Sequence, residues 1–366
     1  MLILNLKIFY PKPNRFSVNW MEVLDDANKI KNLDPSGMLK LVEDQPQQIK
    51  EALKLSPAID KKPEKIVVCG VGGSAIGGEI LSVWARDKCK IPIQVNRGYT
   101  LPSFVDKKTL LICVSYSGET EETISCFKQG VKIGCQIVSI SSGGTLSRLS
   151  RKNNCLHISI PSGIPPRAAI FYTTVPQLML VQNLGLARCI KEIKESVELL
   201  EEARDILPSS PTDKNPAKQL AIKINHSIPC IFGAGISVPA AKRWRTQFNE
   251  NSKIIAREDE LPEENHNDIV GWFGDDKTKD FVAILLRDKK EHKRIKLRFE
   301  FLKDLLNEKA KYVAEVWCKG KSDLAKIFYW IHFGDFVSLY LAFLRNVDPT
   351  PVSVIQELKM FLSKKK

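Results

Sequence analysis

The chain has 366 residues, 43% hydrophobic and 27% charged, which excludes global disorder and fits about two domains at roughly 150 residues each. Lys and Arg number 55 against 42 Asp and Glu, a formal charge of +13, so an anionic partner is favoured, either nucleic acid or a small phosphorylated substrate. None of the nine cysteines forms a C-x-x-C pair, which argues against a zinc ribbon or a thioredoxin-type motif. Cys69, Cys113 and Cys230 lie in apolar runs that read as buried strands, so reduced thiols in a cytoplasmic protein are expected.

The chain opens with MLILNLKIFY, which lacks the basic start and small-residue cleavage site of a secretory signal. Residues 1–20 read as an N-terminal extension, and Met21 opens a polar, helix-like sequence. Residues 21–60 read as helices, with Asp34-Pro35-Ser36 as a helix start and Pro in the first turn. From Ile66 short apolar runs alternate with helical patterns, which predicts an α/β fold with a mainly parallel sheet flanked by helices. Strands are expected near 66–70, 91–95, 110–115, 136–140 and 155–160, and helices near 74–86, 119–130 and 168–185. The uncharged stretch Ala168–Ala187 holds Thr173, Thr174, Gln177, Gln182 and Asn183, so it reads as a buried core helix and not as a membrane span.

Residues 205–217 are rich in Pro, Ser and Asp and read as a linker. The second half then repeats the first in pattern. The runs 226–235, 281–288, 312–318 and 327–345 match 65–73, 110–117, 135–141 and 168–185, with a helix at 238–250 answering the one at 74–86. Two tandem α/β domains follow: 21–204, with its N-terminal helices, and 218–366, with a closing helix.

Two loops are suited to anions. Gly70-Val71-Gly72-Gly73-Ser74-Ala75 lies between a strand and a helix, where backbone N–H groups and the helix dipole favour negative charge. It also matches G-x-G-x-x-A, but the following strand offers Asn96 and Arg97 and not the acidic residue a dinucleotide site requires. Ser115-Tyr116-Ser117-Gly118-Glu119-Thr120 follows another strand and opens a helix. Ser115, Ser117 and Thr120 gather three hydroxyls at one helix start, where a simple cap needs one. GVGGSAIGG and SYSGETEET resemble the sugar isomerase (SIS) fold, in which the Ser/Thr loop grips a sugar phosphate. Tandem domains of this kind occur in phosphoglucose isomerases.

Four further places hold groups suited to proton transfer or charge stabilisation. Arg167 stands at a helix start behind Pro165 and Pro166, where the dipole opposes a cation. Glu250 ends the Trp244-containing helix, a placement that suits a general base. His266 lies in a polar loop and can exchange protons near neutral pH. H-E-x-x-H is absent and the other histidines are scattered, so no metal site is expected. Lys359 sits beside the apolar stripe Val354, Ile355, Leu358 and Phe361 of a C-terminal helix.

Together PxPRAA, NExxK, PExxHN and the closing LK helix resemble the bifunctional phosphoglucose/phosphomannose isomerase family, from about residue 21 to 362. The resemblance implies an aldose–ketose isomerase without metal or other cofactor. It makes Glu250 the base between C1 and C2, and His266 a ring-opening group donated by the neighbouring subunit of a homodimer. Arg167 would stabilise the enediolate, and Lys359 would lie near the ring oxygen. Gly72, Gly73, Ser74, Ser115, Ser117 and Thr120 would hold the phosphate. Mannose tolerance in the family goes with a small hydroxyl residue before the C-terminal Lys; Val352 holds the expected position, and Thr350 is two residues away.

Three rival readings are weaker. A regulatory sugar-phosphate sensor would keep the loops without the Glu250, His266 and Arg167 set. An NADP oxidoreductase leaves the Ser/Thr loop unexplained. Nucleic-acid binding would rest on the basic run 287–298, which reads as a solvated helix face. The expected partner is a sugar phosphate, with neither nucleic acid nor membrane.

Overall fold

A computed structural model describes residues 20–55, 57–59 and 61–365. The expected extension 1–20 therefore lies outside the described residues, apart from Trp20. Four short helices come first: α1 (Trp20–Asp25), α2 (Ala27–Leu33), α3 (Met38–Glu43) and α4 (Gln45–Leu53). Asp34 acts as a helix start, though not as Pro35 suggested. Its carboxylate accepts the free N–H groups of Met38 and Leu39, both at 2.8 Å, and Pro35 stays in the preceding turn.

The first sheet holds β1 (Lys65–Cys69), β2 (Ile93–Asn96), β3 (Thr109–Val114), β4 (Gln136–Ser141) and β5 (Leu156–Ser159). All pairings are parallel in the order β2-β1-β3-β4-β5. Its helices are α5 (Gly73–Ala85), α6 (Glu121–Ile133), α7 (Gly144–Lys152), α8 (Ile170–Asn183) and α9 (Ile190–Arg204). The strand order reverses between β1 and β3, and the two anion-type loops follow these two strands. A crevice opens at such a switch point.

The second sheet repeats this order with one strand fewer. It holds β6 (Ile228–Ala234), β7 (Arg257–Leu261), β8 (Phe281–Arg287) and β9 (Tyr312–Trp317), parallel and ordered β7-β6-β8-β9. Its helices are α10 (Pro216–Ile224), α11 (Val238–Glu250), α12 (Lys293–Lys309), α13 (Asp323–Leu344) and α14 (Ser353–Ser363). The chain is thus α/β, with two parallel sheets flanked by helices. The nine cysteines are unpaired, and Cys69, Cys113 and Cys230 are buried in their strands.

The basic run 287–298 is not wholly a solvated face. Arg287 is buried, paired with Glu291 at 2.5 Å and with Glu315.

The two sheets meet through α8 and α13, which share one core. Among the described residues α13 alone is long and apolar enough to cross a membrane, and its apolar stretch is wholly buried within the protein. It meets α11 closely because Gly334 has no side chain: a Cβ there would lie 2.0 Å from Trp244 Nε1. The Trp244 indole donates instead to the Trp330 carbonyl at 2.7 Å.

One ion pair lies inside this contact. Arg243 of α11 donates to both oxygens of Asp335 of α13, at 3.0 and 2.7 Å, and each residue is only 1% exposed. Gln45 of α4 donates to the same carboxylate at 2.5 Å, while its carbonyl oxygen meets His332 Nδ1 at 2.7 Å. Removing one partner leaves the other charge buried and unpaired. Asp335→Asn should therefore lower unfolding free energy by about 3–5 kcal/mol in urea titrations, and Arg243→Met/Asp335→Leu by less than either single change.

Candidate active site

Pro165 and Pro166 open a 3-10 turn (Pro166–Ala169) that leads into α8 and carries Arg167. The guanidinium is 3% exposed and bound chiefly to its own chain. Its Nε donates to Asn251 Oδ1 at 2.7 Å, and Nη2 donates to the carbonyls of Pro349 (2.7 Å) and Thr350 (2.9 Å). These acceptors offset the opposing helix dipole. Nη1 is left facing Glu250, 3.6 Å from Oε2. The Arg167 carbonyl is itself held by Arg243 at 2.8 Å.

Glu250 is the last residue of α11, with its side chain 27% exposed. Three residues on, Lys253 adopts a left-handed backbone (φ 54°). That turn brings its ammonium to the carbonyls of Glu250 (2.5 Å) and Pro349 (2.9 Å). Burial, reinforced by the Arg167 charge, lowers Lys253 to about 8. Asn251 extends the network: its amide donates to Ser338 Oγ at 2.9 Å, and that hydroxyl donates to the Asp335 carbonyl at 2.7 Å.

The first loop adjoins this cluster. Gly72 takes φ 54° at the head of α5, and a methyl group on Gly73 would lie 3.5 Å from Arg167 Cα. Ser74 Oγ accepts from the N–H of Tyr116 at 3.3 Å, which fastens the first loop to the second. Within the second loop Ser115 is fully buried. Its hydroxyl lies 2.8 Å from Thr120 Oγ1 and accepts from Gly118 N at 3.1 Å, so it shapes the turn. Ser117 and Gly72 are exposed, and Gly73 and Thr120 are partly so. Gly118 has φ 72°, and a Cβ there would lie 2.0 Å from the Gly143 carbonyl oxygen.

These contacts link the loop of Gly72, Gly73 and Ser74, the loop of Ser115, Ser117 and Thr120, Arg167 and Glu250 to one another. Neither His266 nor Lys359 is brought to them within one chain. His266 ends the 3-10 segment Glu263–His266 and is exposed, and its imidazole has no hydrogen-bond partner among the described residues. The neighbouring Asp268 bonds Arg257 instead, at 3.0 Å. Lys359 lies on α14, where every residue is exposed. Arg97 is held by Glu79 of α5, which occupies the cation a 2′-phosphate would need. Arg243, Asn251, Lys253 and Asp335 were not singled out from the sequence as candidates; only a polar residue inside an apolar helix, such as Asp335, could have flagged them.

Residues 213–362 match the bacterial phospho-glucose isomerase C-terminal SIS domain, and residues 59–187 match the SIS domain. A bifunctional phosphoglucose/phosphomannose isomerase of Caldicellulosiruptor bescii is 42% identical over 331 residues, covering 88% of this chain and 98% of that protein. The chain belongs to the bifunctional phosphoglucose/phosphomannose isomerase family. The family's protein from Aquifex aeolicus is 36% identical, covering 84% of this chain and 93% of its own length. Among solved structures, the C-terminal domain of a glucosamine-fructose-6-phosphate aminotransferase from Francisella tularensis aligns with a TM-score of 0.67 at 16% identity, over 86% of this chain and 98% of that one. This last likeness concerns the fold alone.

Two outcomes are expected from this geometry. Gly118→Ala should destabilise the protein by about 3 kcal/mol in thermal melts, because positive φ and a backbone clash add. As pH rises through about 8, Lys253 loses its proton and its grip on the Pro349 and Glu250 carbonyls weakens. Activity should fall on that alkaline side, and Lys253→Arg should move the fall to higher pH in a kcat profile.

Proposed function

We propose that this protein is an aldose–ketose isomerase. It interconverts glucose 6-phosphate and mannose 6-phosphate with fructose 6-phosphate, in the cytoplasm and without a metal. The observation that carries this reading is the pairing of Glu250 with buried Arg167 beside the Gly72–Ser74 loop. The family relationship supports it.

The phosphate binds where α5 and α6 begin, held by Gly72, Gly73, Ser74, Ser117 and Thr120, with Ser115 shaping the loop. Fixing the phosphate positions the reacting carbons, so binding energy is used for orientation. Glu250 removes the C2 proton of the open-chain aldose. The electron pair left at C2 forms C1=C2, and O1 becomes the enediolate oxygen. Arg167 Nη1, on a buried guanidinium, stabilises that oxygen. Return of the proton to C1, with proton transfer between the oxygens, completes the ketose.

His266, donated by the neighbouring copy in a homodimer, assists ring opening, and Lys359 lies near the ring oxygen. Thr350 supports the mannose activity better than Val352. Its carbonyl binds Arg167, and its buried Oγ1 has no hydrogen-bond partner, so a hydroxyl stands beside the reacting cluster.

Purified protein in EDTA with fructose 6-phosphate should yield both glucose 6-phosphate and mannose 6-phosphate, quantified separately. Glu250→Gln should reduce kcat by at least 1,000-fold, on the order expected when a general base is lost. Folded protein that binds sugar phosphate without turnover would overturn the reading in favour of a sensor.

A further inference from the structure

The loop with His266 is pinned to its own chain by one side chain. Of residues 262–271, between Leu261 at the end of β7 and Trp272, only Glu264 is buried, and it is 1% exposed. Glu263, His266, Asn267 and Asp268 beside it are exposed. The backbone closes here in short turns: Asn265 N donates to the Pro262 carbonyl at 3.2 Å, and Asn267 N to the Glu264 carbonyl at 3.3 Å. Turns of the 3-10 type are weak by themselves, so the buried side chain has to hold them.

An apolar anchor would be indifferent to pH, but this anchor is a carboxyl. Its Oε2 accepts from the Asn265 amide nitrogen at 2.6 Å, and Asn265 Oδ1 accepts from Arg298 of α12 at 3.1 Å. Its buried Oε1 has no hydrogen-bond partner among the described residues. The surrounding charge is unfavourable too. Asp259 of β7 and Asp268 of the next segment both oppose ionisation of Glu264. Arg257 of β7 favours it, but that guanidinium already donates to Asp259 at 3.3 Å and to Asp268 at 3.0 Å. Cys230 of β6 is a buried thiol kept neutral by desolvation, so it supplies no compensating charge. Burial is the main cause that raises Glu264 to about 7; the Asn265 hydrogen bond opposes it, and the two aspartates add to it.

We propose that Glu264 is a positioning residue for His266: its neutral carboxyl seats the loop 262–271, and ionisation of that carboxyl releases the loop. The inference rests on the reading that His266 assists ring opening. A buried carboxylate with one oxygen unpartnered gains by reaching water. Its loop neighbours are exposed already, so lifting the turn gives Glu264 that water and buries nothing else. In the lifted loop Glu264 returns to its ordinary value near 4.5. Opening therefore grows roughly tenfold per pH unit between about 4.5 and about 7, and levels off above, where both forms are ionised.

The test uses the full chain, Glu264→Gln and Glu264→Leu. Amide exchange of residues 263–270, divided by the intrinsic rate at each pH, is followed from about pH 5 to about pH 8. Opening in the wild type should rise at least about tenfold over that range. Glu264→Gln keeps the size and the neutral polarity, and Glu264→Leu supplies an apolar anchor, so in both variants opening should stay level. The ratio of Glu264→Gln to wild-type kcat/KM with fructose 6-phosphate should rise at least about twofold over the same range. The Lys253 titration is common to both proteins and cancels in that ratio.

A wild-type opening that ignores pH, or that both variants reproduce, overturns the proposal. So does a level activity ratio beside a pH-dependent opening, because the loop would then move without consequence for His266. If both variants fail to fold near pH 5, the carboxyl is required for folding itself, and the proposal is again overturned. His266→Asn with undiminished kcat/KM would overturn the ring-opening reading instead, and the exchange profiles would still decide whether Glu264 anchors the loop.

Discussion

The buried pair Arg243–Asp335 is the constraint on which the site depends. It joins α11 to α13, and through Gln45 it also fastens α4. Its further hydrogen bond, to the Arg167 carbonyl, fixes the 3-10 turn that ends the first domain's sheet region. Glu250 stands seven residues beyond Arg243 on the same helix, about two turns away. The element that holds the two halves together therefore also sets Glu250 opposite the Arg167 guanidinium. A buried ion pair is weak evidence of stability, because desolvation opposes the Coulombic gain. Its value here is geometric, since it fixes one arrangement of three elements.

Much of the fold was legible because its physics is local. Strands such as LLICV and FVAILL are continuous apolar runs, as a sheet covered on both faces requires. β7, with the sequence REDEL, was not legible. It is an edge strand, and an edge carries charge without loss, so neither composition nor alternation marks it. The loop that follows it, which carries His266, forms two 3-10 segments. α13 shows the opposite problem: its burial on all sides erases the helical stripe, so the match of 327–345 to the stretch 168–185 had to carry the reading.

The site divided along the same line. Ser115, Ser117 and Thr120 were found because three hydroxyls at one helix start exceed what a cap needs. The structure separates their tasks, with Ser115 closing the turn and Ser117 left open. Arg167 stood out because the dipole opposed it, and the structure supplies the compensation in three acceptors. Lys253, the Lys of NExxK, and Asn251 were given no role, because theirs comes from a left-handed turn and from contacts with residues about a hundred positions away. No spacing within α11 encodes that.

The charges of this cluster are matched in number, yet Arg167 is not matched closely. Arg167, Arg243 and Lys253 are the cations, and Glu250, Asp335 and Asp348 are the carboxylates that act on them. Asp335 is taken up by Arg243, and burial chiefly lowers Lys253, with the Arg167 charge adding to it. Arg167 spends Nε and Nη2 on neutral oxygens, so Nη1 faces only the Glu250 carboxylate, at 3.6 Å. A buried cation held mainly by neutral acceptors gains from a nearby anion. In the proposed isomerisation Glu250 becomes neutral once it takes the proton, and the enediolate oxygen would replace its charge beside Nη1. The charged intermediate would then gain more from Arg167 than the neutral sugar does, as selective binding of a transition state requires.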